Sequence, residues 1–139
     1  MDSGKAKRSI EGTLVKLLFH QRVERGMRLI PEQSRCVRAG EVHELVTTDH
    51  SGLSAGSTVD RVGFLGFVEI EAAGVLDVGD DVLVGDRRIG VLAGFDECHF
   101  PNHYNVLIAT DELQTAATLD LVVGQRIGFA AGIVPAEGR

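Results

Sequence analysis

The phrase Asp60-Arg61-Val62-Gly63-Phe64-Leu65-Gly66-Phe67 recurs twice more in this chain. The later copies are Asp86-Arg87-Arg88-Ile89-Gly90-Val91-Leu92-Ala93-Gly94-Phe95 and Gln125-Arg126-Ile127-Gly128-Phe129-Ala130-Ala131-Gly132-Ile133. Each joins Arg, a β-branched residue and Gly to an apolar run and a second Gly. Glycine inside an apolar strand pattern marks a bulge, a sharp bend or a close backbone approach. Three such strands in a short chain predict a small, strongly curved sheet that closes on itself. The expected fold class is therefore all-β: a small closed or nearly closed, mainly antiparallel β-barrel with Gly-bent strands.

The flanking sequence fits this reading. Residues 10–23 read as one strand, with Thr13, Val15, Leu17 and Phe19 on one face. Short strands follow at 27–30, stopped by Pro31, and at 34–38. Residues 41–48 alternate, with Val42, Glu44 and Val46 against Glu41, His43 and Leu45. A polar Gly/Ser-rich loop over 49–57 precedes a long strand at 59–70. Asp77-Val78-Gly79-Asp80 is a tight turn, and strands are expected at 82–84, 88–95, 104–110 and 119–132. A short helix over 112–117 also fits. Roughly eight to ten short strands result, at the regular spacing of an all-β domain. One domain is expected over 10–134, between a disordered basic tail at 1–9 and a short tail at 135–139.

Composition sets the outer bounds. The chain has 139 residues, 44% of them hydrophobic, which is enough for one core. Net charge is −6, which argues against a nucleic-acid partner. The charge is uneven: residues 1–40 hold nine Lys/Arg against four Asp/Glu, and the rest hold five against sixteen. No run is long enough to span a membrane, and residues 1–16 lack the apolar stretch of a signal peptide. The protein reads as cytoplasmic, with Cys36 and Cys98 as thiols.

The chemically richest segment is Asp96-Glu97-Cys98-His99-Phe100-Pro101-Asn102-His103-Tyr104-Asn105. A loop this polar between two apolar strands is a candidate for the mouth of a barrel. The plain alternative is a hydrogen-bonded turn capped by Asp96 and Asn102. Three chemical readings compete. Metal binding would use His99 and His103 with Glu41 and His43, but Pro101 forbids a regular helix between the first two and no metal motif is present. Nucleophilic catalysis by Cys98 is disfavoured by the two acids before it. Acid–base or hydrogen-bond work on a bound small molecule suits the residues best. The candidate catalytic set is His103, Tyr104, Glu41, His43 and His99. The candidate substrate-binding set is Asn102, Asn105, Glu97, Phe64, Phe67, Phe95 and Phe100. No metal and no cofactor are expected, because no phosphate loop or dinucleotide fingerprint is present.

The arginines read as structural. Arg22, Arg25, Arg28, Arg35 and Arg38 are expected to pair on the surface with Glu24, Glu32 and Glu41, rather than to form an anion-binding rim. Arg61, Arg88 and Arg126 hold matching positions in the repeats and are expected to bridge to Asp60, Asp86 and Asp120.

The stretches Arg35-Cys36-Val37, Glu41-Val42-His43-Glu44-Leu45, Arg61 to Phe67 and His99 to Asn105 resemble a family of small bacterial domains of unknown function. More distantly, residues 74–105 resemble the glucitol/sorbitol-specific IIA component of the sugar phosphotransferase system. The shared elements are the Gly-Asp turn, Val91-Leu92-Ala93-Gly94 and the Asn-His-containing stretch. That resemblance implies a closed β-barrel. The phosphorylated histidine of that family has no counterpart in Val68-Glu69-Ile70-Glu71.

The expected function is binding of an organic small molecule in the barrel interior. The leading form is a cofactor-independent cyclase or isomerase that shapes an apolar substrate, as in polyketide or other natural-product pathways. The alternative is a non-catalytic ligand-binding or regulatory module. A homodimer is the default assembly.

Overall fold

The structure, a computed structural model, describes residues 6–132. Twelve strands form: β1 Ile10–Leu17, β2 Gln21–Arg22, β3 Met27–Arg28, β4 Ser34–Val37, β5 Val42–Thr48, β6 Thr58–Val59, β7 Val62–Ile70, β8 Gly74–Asp77, β9 Asp81–Val84, β10 Arg87–Asp96, β11 Asn105–Ala109 and β12 Arg126–Ala130. No helix forms among the described residues, so none crosses a membrane. The expected basic tail is described only from Ala6 onward. There Lys7 Nζ bonds Asp77, Asp80 and the Val75 carbonyl, and Arg8 bonds the Ala73 carbonyl. The expected tail at 135–139 lies outside the described residues.

The main sheet runs β1-β12-β9-β10-β11-β5-β7, and β7 pairs back onto β1, closing a ring of seven strands. Every pairing in the ring is antiparallel except β5 with β11. The short pairs β3–β6 and β4–β8 lie outside it. An all-β, mainly antiparallel closed sheet is thus what the chain forms.

The first two glycine repeats bend the sheet as their sequence implies, whereas the third, on β12, pairs with β1 and β9 without a register shift. The β5–β7 register shifts between Leu45 and Val46, leaving Leu65 as an extra residue beside Gly66. The registers of β10 shift at Arg88/Gly90 and at Leu92/Gly94. Each shift is a bulge next to a repeat glycine, which bends and twists the strand. Gly66 has φ 141°, and a Cβ there would collide with the Lys16 carbonyl oxygen on β1. The ring closes at a point where only a bare α-carbon fits.

Two apolar clusters lie on opposite sides of the sheet. The larger takes residues from all seven ring strands, including Leu14, Leu45, Leu65, Val82, Leu92, Ile108 and Phe129. It fills the interior of the ring. The smaller joins Val46, Phe64 and Leu107 to Met27, Leu29 and Val59 of the β3–β6 arm. Alternation sorts the two: Leu45 and Val106 belong to the first, Val46 and Leu107 to the second.

Several expected boundaries shift. The strand expected over 10–23 breaks after Leu17, and Phe19 stands exposed rather than in line with Thr13. The cause is local: β1 is already bulged between Leu14 and Lys16, and Leu18 instead donates to the Leu65 carbonyl at 3.1 Å. The helix expected over 112–117 does not form: the segment is irregular until a turn begins at Ala116. Thr115 and Thr118 bond each other's backbone N–H groups, which gives the chain an alternative to the helical ladder.

Gly66→Ala is expected to cost about 2–4 kcal/mol in denaturant unfolding, from the collision and the backbone strain together. Gly85→Ala, with φ 59° and open space around it, is expected to cost only about 1 kcal/mol. Equal losses would mean that close approach at the β1–β7 crossing is not what fixes Gly66.

Candidate functional site

The segment between β10 and β11 returns on itself. Asn102 and His103 donate backbone N–H bonds to the His99 carbonyl at 2.8 and 3.4 Å. This turn, not a helix, brings the two imidazoles together, with ring centroids 5.1 Å apart. The parallel pairing of β11 with β5 sets Asn105 opposite Glu44. The end of the loop therefore meets the start of β5. Glu41, His43, Phe100, Asn102, His103 and Tyr104 line one cleft of about 350 Å³, with Arg38 at its edge.

Two histidine–carboxylate pairs flank β5. In the first, His43 Nε2 lies 2.9 Å from Glu41 Oε1, and His43 Nδ1 lies 3.0 Å from the Tyr104 backbone nitrogen. A backbone N–H only donates, so Nδ1 accepts and the ring's proton sits on Nε2, donated to Glu41. Burial pushes the Glu41 carboxyl up. The bond from His43, a backbone bond at Arg38 and the Arg38 charge outweigh it and hold the carboxyl below its ordinary range. Both ring nitrogens of His43 are thus engaged. It positions the main chain of Tyr104 and stacks on the Tyr104 ring at 5.0 Å.

The second pair is buried. His103 Nε2 lies 3.1 Å from Glu44 Oε1, and His103 Nδ1 lies 2.9 Å from the Asn102 amide nitrogen. Asn102 donates, Nδ1 accepts, and the Nε2 proton goes to Glu44. Glu44 is only 7% exposed and His103 9%. A carboxylate so enclosed needs a donor, and His103 supplies it. Asn102 differs from a backbone donor in one respect: it is exposed, and turning its amide presents an oxygen in place of the nitrogen. The pair therefore accommodates both the neutral ring and the imidazolium.

Arg35 organises the remaining wall. Its guanidinium lies 4.2 Å above the Tyr104 ring, Nη1 donates to the Tyr104 hydroxyl at 3.2 Å, and Nη2 pairs with Glu97. Phe100 stacks on the Tyr104 ring, with centroids 5.4 Å apart. Phe67 meets His103 edge-on at 5.2 Å. The remaining predicted site residues lie apart. Phe95 is fully buried in the larger core, and Phe64 is buried in the smaller one with His20 stacked on it at 4.1 Å. Asn105 Nδ2 donates to Asp96 and Cys98, while its buried Oδ1 has no partner.

Two residues of this site were not among the sequence candidates. Glu44 stands in an otherwise apolar stretch of β5, a signal that the alternation of 41–48 contained. Arg35 was assigned to surface pairing and instead reaches Tyr104. Of the expected arginine partners, only Glu41 is met, by Arg38 at 3.7 Å. Arg61, Arg88 and Arg126 pair with Asp49, Asp81 and Glu11/Glu71, not with Asp60, Asp86 and Asp120. Arg61 reaches the residue after β5, Arg88 crosses the β9–β10 hairpin, and Arg126 reaches β1 and the residue after β7.

Burial and the neighbouring Asp96 push the Cys98 thiol up, against the pull of Arg25, so it stays a thiol at neutral pH. Asp96 itself anchors the loop. It accepts from the backbone N–H groups of Arg28 (3.0 Å) and Cys98 (2.9 Å) and from Asn105 Nδ2 (3.1 Å). Burial raises its carboxyl, but the bonds from Cys98 and Arg28 and the charge of Arg25 together hold it below the ordinary range.

These features define a closed all-β domain with a histidine-rich cleft at one end of its parallel strand pair. The chain belongs to the family of unknown function DUF6917, whose family model matches residues 4–130. No curated protein and no solved structure matches it, and the likeness to the glucitol/sorbitol IIA component is not shown.

Asp96→Asn is expected to cost about 1–3 kcal/mol at neutral pH, because the amide leaves one buried donor facing another. A lowered folded-state pKa makes the carboxylate's contribution complete above the ordinary range and lost as pH falls through the folded value. The stability gap between wild type and Asp96→Asn should therefore be widest near neutrality and close in acid. Denaturant unfolding across pH measures it, and a gap that stays constant would contradict the assignment.

Proposed function

We propose that this protein binds an organic small molecule in the cleft beside β5 and acts on it as a cyclase or isomerase by proton transfer at His103. The observation that carries this reading is the Glu44–His103–Asn102 chain, a buried carboxylate on one ring nitrogen and a movable amide on the other. The ring interior is occupied by side chains, so the substrate is assigned to the cleft rather than to the interior. Its volume of about 350 Å³ lies at the lower end of ordinary small-ligand sites.

In this reading a carbonyl-activated C–H group displaces the Asn102 amide from His103 Nδ1. The proton moves to Nδ1, the carbon–hydrogen electron pair enters the conjugated system, and Glu44 stabilises the imidazolium through Nε2–H. Return of the same proton to another carbon completes an isomerisation with no cofactor. In a cyclisation the carbon nucleophile instead attacks a second carbonyl of the same molecule, the π pair of that C=O moves to its oxygen, and the imidazolium returns the proton to that oxygen. Phe100, 55% exposed, supplies flat surface against which an unsaturated substrate stacks. His43 and Arg35 are positioning residues, holding Tyr104 from its backbone and from its hydroxyl.

The test compares metabolites with and without the gene in its own cell, by chromatography and mass spectrometry. Loss of the gene should accumulate an isomer of the normal product with identical mass. Wild type should restore the product, whereas His103→Ala and Glu44→Gln, checked for an unchanged thermal midpoint, should not. The purified variants should convert the accumulated isomer about 10²–10⁴-fold more slowly than wild type. An unchanged profile sinks the catalytic reading and leaves the non-catalytic binding module in its place.

A further inference from the structure

We infer that Glu44, His99 and His103 also form a binding site for a divalent transition metal of the zinc class. One ligating atom from each lies within 4.8 Å of those of the other two. The geometry is closer than that limit requires. His103 Nε2 and Glu44 Oε1 are 3.1 Å apart, and the edge of a tetrahedron around an ion with bonds of about 2 Å is roughly 3.3 Å. The His99 and His103 centroids are 5.1 Å apart with the rings tilted by 36°. Two imidazoles on one tetrahedral ion stand about 5 Å apart by the same bond lengths. Two nitrogens and one carboxylate suit zinc and its neighbours and are a poor set for calcium or magnesium, which take oxygen. His99 is exposed, which gives the ion a way in.

The surrounding groups fit the metal-bound ring. When Nε2 takes the metal, the neutral ring keeps its one proton by moving it to Nδ1. The Asn102 amide, turned, accepts it through its oxygen, the usual outer partner of a metal-bound histidine. Glu41 and His43 are unsuited to the role, because both His43 nitrogens are engaged and one of them faces a main-chain N–H. This site shares His103 with the proton-transfer reading and does not rest on it. The metal-bound ring carries its proton on Nδ1, so an occupied site leaves no Nδ1 lone pair to act as the base.

The test is a titration of the full chain, stripped with a chelator, with Zn²⁺ against a chromophoric chelator and with Co²⁺ by visible absorption. One metal per chain and the intense bands of tetrahedral cobalt are expected. Asn102→Ala should weaken binding about 10-fold, the usual scale for an outer partner, and loss of a ligand in His99→Ala or His103→Ala should exceed about 100-fold. His50→Ala, at the other end of β5, should bind as wild type. His99 is a surface residue, so its variant keeps the fold, and Zn²⁺ should raise the thermal midpoint of wild type but not of His99→Ala. Binding below one metal per chain, or an unaltered affinity in His99→Ala, overturns the inference. That failure leaves the proton-transfer reading standing, since the titration reads metal alone and the metabolite profile reads product alone.

Discussion

The one parallel pairing in the ring, β5 with β11, is the constraint on which the site depends. In an antiparallel pair the end of the 97–104 loop would lie beside Thr48, at the far end of β5. In the parallel register Asn105 faces Glu44, and the loop's last residues stand over the first residues of β5. Both histidine–carboxylate pairs follow from it. His43 reaches the Tyr104 backbone, and Glu44 reaches His103. A parallel neighbour needs a long crossover, and here residues 49–104, carrying β6 to β10, lie between the two strands in sequence. Closing the ring is what brings them side by side.

The buried carboxylate then limits what the loop can do. Glu44 is buried on β5, on the strand face it shares by alternation with Val46, beside Phe67 of β7 and Asn105 of β11. Leaving it there without a donor would cost several kcal/mol or force protonation. His103 must therefore stay close, and Asp96 and the Asn102/His99 turn keep it close. The stability of the loop and the chemistry of the ring nitrogen are the same arrangement seen from two sides. Asn102 is the free element: its amide matches a neutral ring as donor and a charged or metal-bound ring as acceptor.

The curvature of the fold was legible because glycine acts locally. Gly63, Gly66, Gly90 and Gly94 each sit by a bulge or against a neighbouring carbonyl, and those needs can be read from an apolar strand interrupted by Gly. The polar loop was legible for a similar reason, since a dense run of His, Asn and carboxylates does not pack into a core. Partner identity was not. Arg61, Arg88 and Arg126 hold equivalent repeat positions, yet each binds an acid delivered by a different strand neighbour. Glu44 was grouped correctly by alternation with Val42 and Val46, but its partner is 59 residues away. Only the parallel register, a property of the closed ring, joins them.

The two histidines of the cleft wall show how one residue type takes different roles through its second nitrogen. Both offer Nε2–H to a glutamate. The Nδ1 of His43 meets a main-chain N–H that cannot rotate, so the ring is fixed in one tautomer and serves the scaffold. The Nδ1 of His103 meets an exposed side-chain amide that can. Proton transfer and metal binding both require a histidine nitrogen whose present partner yields. Among the groups lining this cleft, that requirement selects His103, and the nature of the partner, more than burial or distance, separates it from His43.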